Sequence, residues 1–313
     1  MRMLSFIFSK VFRKWAQLEL APGYLYSLCD RYGKYLYKGQ LQKGILPNRF
    51  QIPCDLSDHV QRQIWLYGVY EPVESYLFQQ FLKPGMIFFD LGANVGQYSL
   101  LAATEVGPLG QVHGFEAQKD NFEKFKSHCQ LNSISGIIFP QFLAVWNEET
   151  LLEMKMPDNM TNNAGSFYAQ KTEASSDLLK IKAVRLDQYI LHNHIPRIDL
   201  IKMDIEGAEF FALEGAEASI KKFLPVIFME INQAALEKMG CQATSISEKL
   251  FSWGYKAFQI GHSAETSGMI TDLSQVVQSN LIFHINPLPQ AVLSGWTLKT
   301  ALQWARQGWQ NPV

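Results

Sequence analysis

Three short acidic runs stand where an apolar segment gives way to a turn. The first is Phe88-Phe89-Asp90-Leu91-Gly92-Ala93-Asn94-Val95-Gly96-Gln97-Tyr98. A buried strand ends in an acid, a tight turn follows, and a helix begins. At the carboxyl end of such a strand, backbone N–H groups and a helix N-terminus face a ligand. Gly92 and Gly96 let the backbone come close to it, and Asn94 tolerates left-handed backbone angles. A dinucleotide site uses G-x-G-x-x-G to seat a pyrophosphate. Here Gly92-Ala93-Asn94 lacks the second glycine, and Asp90 repels a phosphate. The acid suits a cation or an amine, and S-adenosylmethionine carries both.

The second run, Val112-His113-Gly114-Phe115-Glu116, ends 20 residues after Gly96. An acid at the end of a second strand bonds both hydroxyls of a ribose, and Phe115 and Ala117 flank the adenine. NAD sites share this device, so it specifies an adenosine-containing ligand only beside the first run. The third, Lys202-Met203-Asp204-Ile205-Glu206-Gly207-Ala208-Glu209, follows a fourth strand. Three acids in six positions raise one another's pKa toward that of a usable base. The candidates for proton removal are Asp204 and Glu206, then Glu230. Glu206 and Glu209 equally complement a helix N-terminus. His113 is read as structural. His192 and His194 form a pair with no third ligand in view, so no metal site is assigned.

The elements that must carry these residues follow the same order. Apolar spacing predicts helices over residues 4–18 and 61–82, the latter stopped at Lys83-Pro84-Gly85. Strands are expected at 86–91, 111–115, 137–145, 198–203 and 225–231, with helices to Thr104, over 120–131 and over 208–222. Asn280–Ile285 reads as a final antiparallel edge strand. Short apolar strands alternating with helices predict an α/β fold with a mostly parallel sheet covered on both faces. Residues 156–176 are polar and loop-like and are expected to cover the acceptor. Trp296, Trp304 and Trp309 crowd the last stretch, with rings expected to dock on the body.

Composition sets the remaining limits. The chain has 313 residues and four cysteines, none in a CxxC pair, which argues against a zinc ribbon or a disulfide framework. Residues 1–50 carry nine basic and two acidic side chains, a net +7 against −8 for the rest. The acidic body is not a nucleic-acid binder. The basic apolar segment 1–20 packs on the body, on a second subunit in a homo-oligomer, or lies on an anionic membrane. No run reaches the ~20 apolar residues of a membrane span, and no leader is recognised, so a cytoplasmic protein is expected, peripheral to the membrane at most.

Asp90-Leu-Gly-Ala-Asn-Val-Gly, Phe115-Glu116, Lys202-Met-Asp-Ile-Glu-Gly-Ala-Glu209 and Met229-Glu230-Ile231, with Gly68–Pro72 and Leu186-Asp187, resemble the FkbM family of S-adenosylmethionine-dependent methyltransferases over about residues 65–235. The resemblance implies a Rossmann-like class I methyltransferase fold with seven strands, the last antiparallel. It would comprise residues 65–286, after a helical basic extension (1–64) and before a Trp-rich tail (287–313). It implies that Asp90, Gly92, Ala93, Asn94, Gly96 and Tyr98 line the cofactor turn, that Glu116 holds the ribose, that Ala117 and Ala144 lie near the adenine, and that Asp204 lies near the reactive methyl. The implied reaction is methylation of a hydroxyl on a sugar, glycolipid or polyketide-like small molecule. An NAD-type oxidoreductase and a non-catalytic binding module are the alternatives.

Overall fold

The computed structural model describes residues 41–155, 168–170, 179–260, 267–288 and 296–309, together with residues 11, 13, 14, 31 and 292. Of the helix expected over residues 4–18, Val11, Arg13 and Lys14 are described and helical; the rest lies outside the described residues. Two compact units divide the chain. The described residues up to Leu77 belong with Thr297–Trp309, and the rest of Phe78–Trp296 forms the other.

In the first unit, β1 (Leu41–Ile45) and β2 (Gln51–Asp55) pair antiparallel. Asp58 then caps α1 (His59–Tyr67) by accepting from the Gln61 N–H. The sequence predicts one helix over 61–82, but the chain breaks at Gly68, and α2 (Pro72–Phe81) starts anew at a proline. The division between the units falls within α2.

The second unit is built on β3 (Ile87–Leu91), α3 (Gln97–Val106), β4 (Gln111–Phe115), α4 (Lys119–Leu131) and β5 (Ile138–Gln141). An inserted segment follows, with β6 (Ala144–Val145), β7 (Thr150–Lys155), β8 (Tyr168–Gln170) and β9 (Leu179–Val184). The main sheet resumes through α5 (Leu186–His192), β10 (Leu200–Met203), α6 (Glu209–Gly215), α7 (Glu217–Phe223), β11 (Val226–Asn232), α8 (Gln233–Lys238), α9 (Ala243–Ser252), β12 (Lys256–Gln259), β13 (Gly268–Ile270) and β14 (Gln278–His284). Helix α10 (Leu298–Ala305), with a Thr297–Thr300 capping box, returns to the first unit. There Trp304 packs edge-on to Tyr76, the Trp309 indole donates to the Ile45 carbonyl, and Arg13 lies over both Trp65 and Trp309.

The main sheet runs β13-β12-β14-β11-β10-β3-β4-β5. Strands β3, β4, β5, β10 and β11 are mutually parallel, and β14 enters antiparallel to both β11 and β12. The expected antiparallel strand is therefore present but interior. Among the described residues the sheet has eight strands rather than seven, because the three-residue β13 extends it past β12.

Both faces are covered, which explains why β3 is apolar apart from Asp90. Ile87, Phe89 and Leu91 face a core completed by Leu186, Ile190, Leu213, Ile220, Ile246 and Leu250 from the helices. Phe88 faces the other side, against Phe78. Three further expectations need correction. The strand expected at 137–145 divides between the main sheet and β6, which pairs with β9. The helix expected at 208–222 is two helices, broken at Ala216. Within the expected loop 156–176, residues 168–170 form β8 on β7, and the remainder lies outside the described residues.

Among the described residues no helix is long and apolar enough to cross a membrane.

Candidate functional site

The chain builds the sheet outward from β3 in one direction through β4 and β5, then returns to its other side for β10 and β11. That reversal opens a crevice at the carboxyl ends of β3 and β10, where α/β sheets bind ligands. All three acidic runs end there.

The turn after β3 hangs from β4. The Gly92 and Ala93 N–H groups both donate to the Phe115 carbonyl, at 3.0 and 2.9 Å. Gly92 has φ +86°, and a Cβ on it would lie 1.8 Å from the Asp204 carbonyl oxygen. Gly96 also has φ +86°, and a Cβ there would meet the Phe125 ring at 2.1 Å. Neither position accommodates a side chain. Asn94 sits at φ +51° and donates its N–H to Glu116 Oε2 at 2.7 Å, while the Gln118 N–H donates to Glu116 Oε1 at 2.7 Å. Glu116 thereby ties the first run to the second. Burial pushes its carboxyl up to about 7, against the pull of these two N–H groups.

Asp90 is buried, and its Oδ2 accepts from the Ser99 hydroxyl at 2.6 Å. Burial raises its pKa, opposed by Lys202 and Ser99. Its other oxygen, Oδ1, has no hydrogen-bond partner among the described residues, and neither does the buried Asn94 Oδ1. Buried acceptors without donors are costly and call for a donor-bearing ligand. Tyr98, at the start of α3, is buried with its ring beneath the Lys202 ammonium, 4.5 Å from the ring centroid.

Beyond β10, Asp204 donates its N–H to the Leu91 carbonyl and receives Lys202 Nζ at 2.9 Å on Oδ2. Burial acts to raise the Asp204 pKa, but Lys202 and a hydrogen bond from Glu230 outweigh it, and the group sits below the usual carboxylate range. Glu230, on β11, also accepts from the Gln278 side chain at 2.7 Å. Glu206 is strained at φ +54°, and burial, then the charge of Asp204, hold it up to about 7. Glu209 turns back and accepts the Ile205 N–H at 3.0 Å, so it serves the turn.

The inserted strands supply one wall. Trp146, Leu152, Ile181 and Ala183 pack with Ala117, Ala144, Ala208, Phe211 and Met239, with the Trp146 and Phe211 rings stacked at 4.0 Å. Ala117 directly follows Glu116 and Ala208 stands four residues after Asp204, so the small sheet is anchored at the crevice.

The structure thus brings Asp90, Glu116, Asp204, Glu206 and Glu230 to one end of the sheet. His113 is apart from them, stacked between Phe89 and Phe139. His192 and His194 are exposed, and among the described residues no group of three metal-ligating side chains is assembled. Sequence reasoning assigned no role to Ser99, Lys202 or Gln278. Lys202 could have been found from its place two residues before Asp204; Gln278 lies on β14, too distant in sequence to signal.

The reversed strand order and the acidic crevice at its strand ends define a Rossmann-like α/β domain. Residues 90–257, more than half of the chain, match the Methyltransferase FkbM domain. The protein belongs to the FkbM methyltransferase family. Among curated relatives, it is 24% identical to the 31-O-demethyl-FK506 methyltransferase FkbM of Streptomyces tacrolimicus over 44% of this chain and 61% of that one. It is 22% identical to Methyltransferase 1 of Beauveria bassiana (strain ARSEF 2860) over 41% and 57%. The match spans less than two thirds of either relative's length. Among solved structures, the FkbM methyltransferase of Methylobacillus flagellatus KT aligns over 73% of this chain and 53% of that one, at 14% identity and a TM-score of 0.43.

Proposed function

We propose that this protein transfers a methyl group from S-adenosylmethionine to a hydroxyl on a sugar, glycolipid or polyketide-like acceptor. One observation carries the reading: the turn presents buried acceptor oxygens, Asp90 Oδ1 and Asn94 Oδ1, that lack donors among the described residues. The cofactor's ammonium and ribose hydroxyls are donors of the kind these oxygens need. A pyrophosphate would bring more acceptors and negative charge to Asp90, which would cost rather than stabilise.

The residues present fit the cofactor. Asp90 would accept from the ammonium, Glu116 from the ribose through its remaining lone pairs, and Ala117 and Ala144 would lie against the adenine. When bound, S-adenosylmethionine supplies an electrophilic methyl on a cationic sulfur. The chain's part is to hold the acceptor hydroxyl in line with it and to take the hydroxyl proton.

Glu206 fits the proton-accepting role better than Asp204. A base works best with a pKa near the working pH, and Glu206 is held near 7 whereas Asp204 is held low. Asp204, ionised, would stabilise positive charge nearby. The inserted sheet would form the acceptor wall, supported by its packing on Ala117 and Ala208. The family relationship and the named activity of the Streptomyces relative support methylation of a natural-product hydroxyl.

The test is incubation with methyl-labelled S-adenosylmethionine and a panel of sugar, glycolipid and polyketide-like alcohols. Label is expected in an ether methyl, with Glu206→Gln at least ~10²-fold slower, the lower end of what a positioned base supplies. Transfer of label to nitrogen or carbon acceptors only would overturn the assignment.

A further inference from the structure

One ammonium pairs with an acid of the crevice from a residue that lies beside a second acid. Lys202 is the register partner of Asp90 across the β3–β10 pair, so both side chains leave the same face of the sheet. Its Nζ lies 2.9 Å from Asp204 Oδ2 and 4.5 Å from the Tyr98 ring centroid, and the side chain is only 8% exposed. A buried lysine is stable when paired. Here an ion pair and a ring face together fix where the charge sits.

We infer that Lys202 is a positioning residue, the shared counter-ion of Asp90 and Asp204, which keeps both carboxylates charged and aimed where a cationic cofactor binds. The inference rests on the cofactor reading above. Without a cation beside them, the buried Asp90 and the half-buried Asp204 take up protons, as like charges in one site do. The opposing pull of Lys202 on the buried Asp90 and on Asp204 agrees with this placement. Glu230 completes the array, hydrogen-bonded to Asp204 and receiving Gln278. The other groups facing this cluster are Glu116 after β4, Tyr98 on α3, Glu206 and Glu209 after β10, and Lys238 on α8.

The experiment is calorimetric titration of S-adenosylmethionine and S-adenosylhomocysteine, from pH 5 to 8, into the full chain and into Lys202→Gln, Lys202→Arg and Asp204→Asn. Both ligands carry the ammonium and both meet Glu116, whose carboxyl burial holds at about 7 and which every variant retains, so the change in fall-off pH between variants reads the charge of Asp90 and Asp204. Loss of the cation is expected to move that midpoint up by about one pH unit or more for both ligands. Lys202→Arg should restore it. Asp204→Asn should move it down, because Asp90 then has the cation to itself. Uniform weakening in Lys202→Gln with an unmoved midpoint would make the lysine merely structural and overturn the inference, as would Lys202→Arg behaving like Lys202→Gln. If circular dichroism shows Lys202→Gln unfolded, Asp204→Asn decides: a lower midpoint supports the inference and an unchanged one overturns it. Wild-type binding that is flat from pH 5 to 8 supports the inference if Lys202→Gln falls off within that range, and a flat profile in both overturns it. Wild-type protein that binds neither ligand overturns the cofactor reading, and the inference with it.

Discussion

Replacing Glu116 with glutamine keeps the size of the side chain and removes its charge. In the wild type, each carboxylate oxygen accepts one backbone N–H at 2.7 Å, from Asn94 and Gln118. A glutamine presents one oxygen and one NH2, so one of those N–H groups faces another donor. The oxygens that remain for a ribose lose their charge. A hydrogen bond to a charged group contributes about 1.5–3 kcal/mol, so loss of one is expected to weaken S-adenosylmethionine binding roughly 10- to 150-fold at pH 8.5. The wild-type carboxyl titrates at about 7. At pH 6 about one tenth of it is ionised, and the disadvantage of the variant should shrink about tenfold. Isothermal titration at pH 6.0 and 8.5, with matched circular dichroism, reads both numbers. A ratio that is the same at the two pH values, or larger at pH 6.0, would refute the argument that the charge of Glu116 holds the ligand.

Two further substitutions probe the frame around the site. Burial pushes Glu209 up to about 7, so protonation stabilises the fold; its contribution is complete below its unfolded value near 4.5 and is lost as pH rises through 7. Glu209→Gln, always neutral, should therefore gain stability relative to wild type on going from pH 5 to pH 8, by up to ~3 kcal/mol, in urea melts at the two pH values; a gap that narrows or is constant would contradict this. Gly96→Ala places a methyl in the Phe125 ring and asks alanine to hold φ +86°, which together should cost roughly 2–5 kcal/mol; a loss below 1 kcal/mol in the same melts would show that the turn gives way easily.

Much of the crevice was legible in the sequence because its parts are local. Asp90–Gly96, Phe115-Glu116 and Asp204–Glu209 each join a strand end to a turn within a few residues, so residue type and spacing report position directly. The parallel strands were legible because burial on both faces makes them mostly apolar, with Asp90, Lys202 and Glu230 as exceptions that belong to the site. What was missed depends on distant pairing. β14 inserts between β11 and β12, so its place is set by partners and not by its own apolar pattern. Of the inserted strands, β6 and β8 have only two and three residues, and β7 ends where a polar segment that reads as loop begins. Residues 137–145 look like one strand because the division at Phe142-Leu143 carries no glycine or proline. Lys202 is apolar-flanked and reads as a strand residue. Its place two residues before Asp204 is visible in the sequence, but its pairing with Asp90 emerges only when β3 lies beside β10.

The most direct measurement of the central claim is calorimetric titration of the purified protein at pH 8 with S-adenosylmethionine, S-adenosylhomocysteine and NAD. The account predicts micromolar binding of the first two and no heat from NAD. Binding of NAD alone would contradict the reading of Asp90–Gly96 as a site for a cationic, amine-bearing ligand.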